Sequence, residues 1–283
     1  MRIISSVREM QQQADNWRRD GKKIALVPTM GYLHEGHLTL MRTVRSMAEV
    51  VAVSIFVNPT QFGPNEDFER YPRDMERDVR LSGEAGVDLI FAPEAREMYP
   101  AGYQTHIEVT GVTLPLCGKS RPGHFRGVTT VVAKLFNIVK PHLAIFGEKD
   151  YQQLVAIRTM ARDMNMDIEI LGCPIVREAD NLAMSSRNVY LDPVQRNKAL
   201  RLSRALAEAQ ALVDRGERNS FKILGKVRET IGPGEDVRID YVQLCHPDTL
   251  EEVDRVDGAA LLALAVHVGK TRLIDNRVLR SQN

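Results

Sequence analysis

Five short apolar runs, separated by stretches of helical periodicity, constrain this chain more than any other feature. They are IALVP at 24–28, VVAVSIFV at 50–57, VDLIFAP at 87–93, LAIFG at 143–147 and IEILGCPIV at 168–176. Near-continuous Val, Ile and Leu runs read as strands buried on both faces. Strands that alternate with helices imply a parallel sheet covered by helices on both sides. The helical stretches are an amphipathic opening segment, about 37–47, about 72–85, about 127–140, and one starting near Tyr151. THIEV at 105–109 reads as a further short strand, because it alternates. In such sheets ligands bind beyond the carboxyl ends of the strands. Each loop with unusual polar chemistry in this half follows a strand.

The texture changes near Arg177. A loop, ADNLAMSSRNVYL, precedes helical patterns at about 193–215 and 219–231, then VRIDYVQLC, ALLALAVHV and RLIDNRVL, which read as strands. At 283 residues the chain is long enough for two domains. The expected division is 1–176, an α/β domain, and 177–283, a smaller α+β domain.

A formal net charge of +1 and the lack of a basic tract argue against a nucleic-acid-binding surface. No apolar run approaches the ~20 residues of a membrane span, and the opening segment has no signal-peptide core. Cys117, Cys173 and Cys245 form no CxxC pair, and an odd number argues against a disulfide framework. Reduced thiols and a cytoplasmic location are the expectation.

Residues 24–40, IALVPTMGYLHEGHLTL, read as strand, glycine turn and helix start. Unpaired backbone N–H groups there make a ready anion site. His34 and His37 are spaced for one helix face. They suit phosphate oxygens, a metal, or simply a cap and a surface position. There is no P-loop GxxxxGK[ST]. GEKD, Gly147 to Asp150, follows the LAIFG strand and places Glu148, Lys149 and Asp150 at the sheet edge. There Lys149 can meet a phosphate as a point charge, and Asp150 can accept from a hydroxyl or cap a helix. Gln153 follows Asp150 by three residues and shares its face. In MSSR, Met184 to Arg187, two hydroxyls and a guanidinium suit phosphate oxygens, or a turn and helix cap. NPTQF, Asn58 to Phe62, puts Gln61 straight after the second strand as an uncharged donor and acceptor. SRPGHFRGV at 120–128 carries Arg121, His124 and Arg126, a composition that suits a mobile basic flap over an anion.

In this order, PTMGxLHxGH, NPxQF, SRPGHFRGV, GEKDYQQL and SSRN resemble the pantothenate synthetase (pantoate–β-alanine ligase) family, from about Leu26 to TRLIDN near the end. HEGH and MSSR separately resemble the HIGH and KMSKS signatures of the wider adenylate-forming nucleotidyltransferases. The resemblance implies a Rossmann-like nucleotide domain, a C-terminal lid domain and a homodimer. It also implies two half-reactions. Pantoate attacks the α-phosphate of Mg·ATP, giving pantoyl adenylate and pyrophosphate; β-alanine then displaces AMP. Carried over by motif, His34 and His37 contact phosphates, with His37 as the acid-type residue. Met30, Gly147, Lys149, Asp150, Val176, Met184, Ser185, Ser186 and Arg187 hold ATP, with Glu148 among them. Gln61, Gln153 and Asn58 contact the substrates pantoate and β-alanine, and Asp78 is the expected magnesium contact. His37, His34, Lys149 and Arg187 form the catalytic set.

One departure is Asn181, where relatives carry glycine; Asn tolerates positive φ, so the turn should survive. Three other readings stand beside this one: another adenylate former, a non-catalytic nucleotide-binding module, and a metallohydrolase on His34 and His37. Near-neutral charge and the lack of a tRNA-binding domain weigh against the first. Retention of HEGH, GEKD and SSR together weighs against the second.

Overall fold

The computed structural model describes residues 1–283 except 65, 233, 235, 282 and 283. Two compact units emerge. The first takes residues 1–109, 121–148 and 156–174; the second takes 110–120, 149–155 and 175–283.

The first unit is built on a six-stranded sheet. In chain order its elements are β1 (Arg2–Ile4), α1 (Val7–Arg19), β2 (Ile24–Thr29), α2 (Glu35–Arg45), β3 (Val50–Ile55), α3 (Met75–Glu84), β4 (Leu89–Phe91) and α4 (Ala95–Met98). The short helix α5 (Cys117–Ser120) belongs to the second unit. The first resumes with α6 (His124–Val139) and β5 (Leu143–Gly147); α7 (Tyr151–Asp163) crosses from one unit to the other, and β6 (Glu169–Cys173) ends the sheet. All pairings are parallel, in the order β1-β4-β3-β2-β5-β6. Ile24 to Thr29 pair in step with Val50 to Ile55, and all six β3 residues are buried. That double-sided burial is why the run lacks polar alternation. The connections move outward from β2 in one direction and from β5 in the other. The reversal point therefore lies between β2 and β5, which pair through Ala25–Leu143 and Leu26–Ala144.

Three sequence expectations shift. THIEV at 105–109 is not a strand: the Ile107 N–H donates to Thr130 Oγ1 (2.9 Å), and Thr129 Oγ1 donates to the Ile107 carbonyl (2.6 Å). Two helix hydroxyls satisfy the backbone that a neighbouring strand would have paired. The opening segment contains β1, a three-residue edge strand too short to show periodicity. Helices α2 and α6 start earlier than apolar spacing suggested, at Glu35 and at His124. Their first turns carry polar residues, which periodicity does not count.

The second unit contains α8 (Pro193–Asp214), α9 (Ser220–Ile231), β7 (Val237–Cys245), β8 (Ala259–Val268) and β9 (Thr271–Arg280). Its strands form an antiparallel β7-β8-β9 sheet. β8 is apolar from Ala259 to Val266 because both faces of that stretch are covered. Leu262, Leu264 and Val266 pack with Leu202, Leu206 and Ile223 of α8 and α9. Leu261 and Ala263 point the other way, to Leu116, Val155 and Leu250, as the two-residue period of a strand requires. Helix α8 starts on a capping box, Asp192 accepting from the Gln195 N–H (2.8 Å), with Pro193 in the first turn. No helix among the described residues is long and apolar enough to cross a membrane.

Candidate active site

The stretch 24–40 leaves the carboxyl end of β2 beside the reversal point. Its turn needs unusual backbone: Gly31 has φ +78° and Tyr32 has φ +49°. Asp78, on α3, holds it. The Tyr32 and Leu33 N–H groups each donate to one Asp78 oxygen at 2.7 Å, and Asp78 is buried. Burial raises the Asp78 pKa above the usual carboxylate value, while those two backbone N–H groups oppose the rise.

α2 then starts at Glu35, with His34 as N-cap and His37 in the first turn. The His34 backbone N–H donates to His37 Nδ1 (3.3 Å), and the two rings sit 4.0 Å apart, centroid to centroid. An Nδ1 that accepts a backbone N–H leaves the proton of the neutral ring on Nε2. Both imidazoles thus stand at the positive end of a helix, as the anion reading requires. A cavity of about 300 Å³ beside the turn is lined by Met30, Tyr32, Phe56, Met75 and Asp78 among others.

NPTQ follows β3 as a short 3₁₀ turn, Pro59–Gln61. Asn58 Nδ2 donates to Gln61 Oε1 and to the Gly127 carbonyl, both at 3.1 Å. Gln61 Nε2 points to Met30 Sδ (3.1 Å). The Gln61 carbonyl accepts from His124 Nδ1 at 2.8 Å. Arg121 contacts Glu66 through two nitrogens, at 2.7 and 2.5 Å. Burial works to raise the Glu66 pKa, but the Arg121 hydrogen bonds and charge bring it below the usual value. Within SRPGHFRGV, Arg121 is thus paired and His124 opens α6. Gly127, Glu66 and Tyr99, whose hydroxyl donates to Asn58 Oδ1 (2.8 Å), are parts of this arrangement that sequence reasoning missed. None carries a spacing signal, since each acts through a contact distant in the chain.

At the end of β5, a Cβ built on Gly147 meets no atom within 4 Å. Glu148 to Asp150 form a 3₁₀ turn into α7. In the second unit, Lys149 Nζ is 3.7 Å from Asp150 Oδ2, and the Lys149 carbonyl accepts from Asn276 Nδ2 (2.9 Å). Gln152 is spent on structure, bonding Cys117 N, Val112 O and Pro115 O. Gln153, the neighbour singled out from sequence, is half-buried.

The ADNLAMSSRN loop folds on itself within the second unit. Asn181 adopts φ +71°, and the Met184 N–H donates to the Val176 carbonyl (3.0 Å). Ser185 Oγ caps a 3₁₀ turn by accepting from the Arg187 N–H (3.2 Å), and Ser186 is buried. Arg177 grips buried Asp275 through two bonds of 2.8 Å. Arg196 pairs with Glu178 and with Asp180.

As a magnesium contact Asp78 fits poorly: it is buried, and both its oxygens are taken up by backbone N–H groups. Among the described residues no group of three or more His, Cys, Asp or Glu could hold a metal ion.

Comparison with known proteins bears directly on this arrangement. The profile of the family described as pantoate-beta-alanine ligase matches residues 2–278. The pantothenate synthetase of Syntrophobacter fumaroxidans is 67% identical over 280 residues, 99% of each chain. That of Geobacter sulfurreducens is 59% identical over 279 residues, again 99% of each. The crystal structure of pantothenate synthetase from Thermus thermophilus has a TM-score of 0.93 at 46% identity, covering 98% of this chain and 99% of the other. The pantoate-beta-alanine ligase of Francisella tularensis, complexed with beta-gamma ATP and beta-alanine, has a TM-score of 0.80 at 34% identity, covering 98% and 97%. The chain belongs to the pantoate-beta-alanine ligase family.

Proposed function

We propose that this chain condenses pantoate with β-alanine at the expense of ATP, forming pantothenate, AMP and pyrophosphate through a pantoyl-adenylate intermediate. One observation carries the reading. The PTMGYLHEGH and GEKD motifs leave the carboxyl ends of β2 and β5, the two strands that flank the reversal point of the parallel sheet, where such sheets bind nucleotides.

In the first half-reaction a pantoate carboxylate oxygen attacks the α-phosphorus, and the bond to pyrophosphate breaks. Charge grows on the non-bridging oxygens and on the leaving group. His34 and His37, at the start of α2, donate to those oxygens, and His37 presents Nε2–H because its Nδ1 accepts the His34 N–H. Lys149 and Arg187 supply fixed positive charge, and Met30, Gly147, Glu148, Asp150, Val176, Met184, Ser185 and Ser186 hold the nucleotide. Gln61 and Gln153 orient pantoate without a charge that would compete with Lys149. In the second half-reaction the amine of β-alanine attacks the acyl carbon, AMP leaves, and the nitrogen gives up a proton. Magnesium arriving with ATP would be held chiefly through phosphate oxygens and would neutralise part of their charge. The proposal includes a homodimer working in the cytoplasm, with residues 177–283 as a lid.

The test is pyrophosphate release from ATP and magnesium with pantoate, with and without β-alanine. Pantoate-dependent release, with AMP and pantothenate appearing once β-alanine is added, is expected. No pantoate-dependent release would end the proposal. Light scattering on the eluting peak gives the mass, and a monomer there would remove the dimer.

A further inference from the structure

The buried side chain of Asn58 has one orientation only. The Gly127 carbonyl can only accept and sits 3.1 Å from one end of the amide. The Thr60 backbone N–H can only donate and faces the other end at 3.4 Å, joined there by the Tyr99 hydroxyl at 2.8 Å and Thr60 Oγ1 at 3.0 Å. The NH₂ must therefore face Gly127, and the oxygen must face Thr60 and Tyr99.

That assignment propagates. The same NH₂ faces Gln61 at 3.1 Å, so the Gln61 oxygen must point at Asn58. The Gln61 NH₂ is left to point away, with the weak thioether acceptor of Met30 near it at 3.1 Å. Asn58 has no polar atom to spare for a substrate.

We propose that Asn58 is a positioning and specificity-determining residue that acts through Gln61. It locks the Gln61 amide so that Gln61 can only donate toward the substrate and must meet an acceptor, the carboxylate or a hydroxyl oxygen of pantoate. This rests on the reading of Gln61 as a pantoate contact. It departs from the sequence-based expectation that Asn58 itself touches substrate.

The experiment compares the wild type, Asn58→Asp, Gln61→Ala, Gln61→Glu and the Asn58→Asp/Gln61→Ala double variant, measuring pyrophosphate release with pantoate and ATP varied separately. Absence of release from the wild type would sink the functional reading, not the lock. With release present, Asn58→Asp places an acceptor where the NH₂ was and turns the Gln61 amide round. Loss of one directional bond to a charged partner predicts a rise in pantoate KM of at least ~10-fold, with ATP KM nearly unchanged. In the Gln61→Ala background the same Asn58 change should add little. Equal rises for both substrates, or the same penalty with and without Gln61, would overturn the lock and leave Asn58 a packing residue. If Asn58→Asp does not fold, Gln61→Glu decides alone. Its outward atom is an acceptor, so pantoate KM should rise at least as far as in Gln61→Ala; a wild-type KM would refute the requirement for a donor.

Discussion

The Asp78 carboxylate occupies the space that a side chain on Gly31 would need. A Cβ there would lie 2.9 Å from Asp78 Oδ2 and 3.0 Å from Ile55 Cγ2, and Gly31 already has φ +78°. Glycine at 31 and aspartate at 78 are one solution to one problem: turning the chain sharply between β2 and α2 so that the helix start faces the sheet edge.

Removing either partner should loosen that turn. Asp78→Ala leaves two buried N–H groups without their charged acceptor and is expected to cost about 2–4 kcal/mol in urea denaturation. Gly31→Ala carries the left-handed penalty of about 1–2 kcal/mol plus the clash with Asp78. Both should raise the KM for ATP, because the two imidazoles hang from this turn. A loss under about 0.5 kcal/mol for Asp78→Ala would show that the turn does not depend on it.

Gly127 offers a second geometric test. A Cβ there would stand 2.6 Å from the Thr60 carbonyl carbon and 2.7 Å from Gln61 Cα, both backbone atoms. Gly127→Ala must push the NPTQ turn away from α6. Misplacing a substrate-orienting group by a fraction of an ångström to an ångström can cost up to ~10²-fold in rate. We expect kcat/KM for pantoate to fall by ~10- to 10²-fold with a smaller change in KM for ATP. Unchanged pantoate kinetics would mean that the turn relaxes without moving Gln61.

How much of this was legible beforehand follows from what kind of contact each feature uses. Strands β2 to β5 showed because double-sided burial writes itself into consecutive residues such as Val50 to Ile55, whereas β6, read as buried from its apolar run, lies at the sheet edge and is only partly covered. His34 and His37 showed because three-residue spacing and a glycine turn are local. Asp78 reads from sequence spacing only as an acidic residue on a charged helix, and only the fold reveals Tyr32 and Leu33 as its partners, 46 and 45 positions away. THIEV alternates like a strand, yet its backbone is claimed by Thr129 and Thr130, whose hydroxyls lie on a helix that periodicity describes as merely apolar. Arg121 suggested a free cation for the same reason; Glu66, 55 positions earlier, is invisible to spacing arguments.

The role assignments themselves call for a kinetic test. If Lys149 and His37 stabilise charge that grows only in the transition state, Lys149→Ala and His37→Ala should each lower turnover by at least ~10²-fold while leaving the unfolding midpoint near that of the wild type. Near-normal turnover in either variant would remove that residue from the catalytic set. A fall in stability matching the loss of turnover would mark a structural role instead.

The last prediction concerns pH and lies away from the site. His142 precedes β5, and its Nδ1 accepts the Ile24 N–H at 2.9 Å, an arrangement that needs the neutral ring. Burial pushes the His142 pKa below the ordinary histidine value, and the charges of Arg18 and Lys23 push in the same direction. For a base with a lowered folded-state pKa, the unfolded chain takes up its proton first as pH falls. Stability therefore drops as pH goes below about 6.5, the unfolded value, and the drop levels off once the folded ring is protonated too. His142→Asn removes this titration. In urea denaturation between about pH 7.5 and 5.5, the wild type should lose more stability than the variant, with the difference opening below about pH 6.5. Parallel curves across that range would show that His142 titrates alike in the folded and unfolded chain, and that the bond to Ile24 does not depend on its charge.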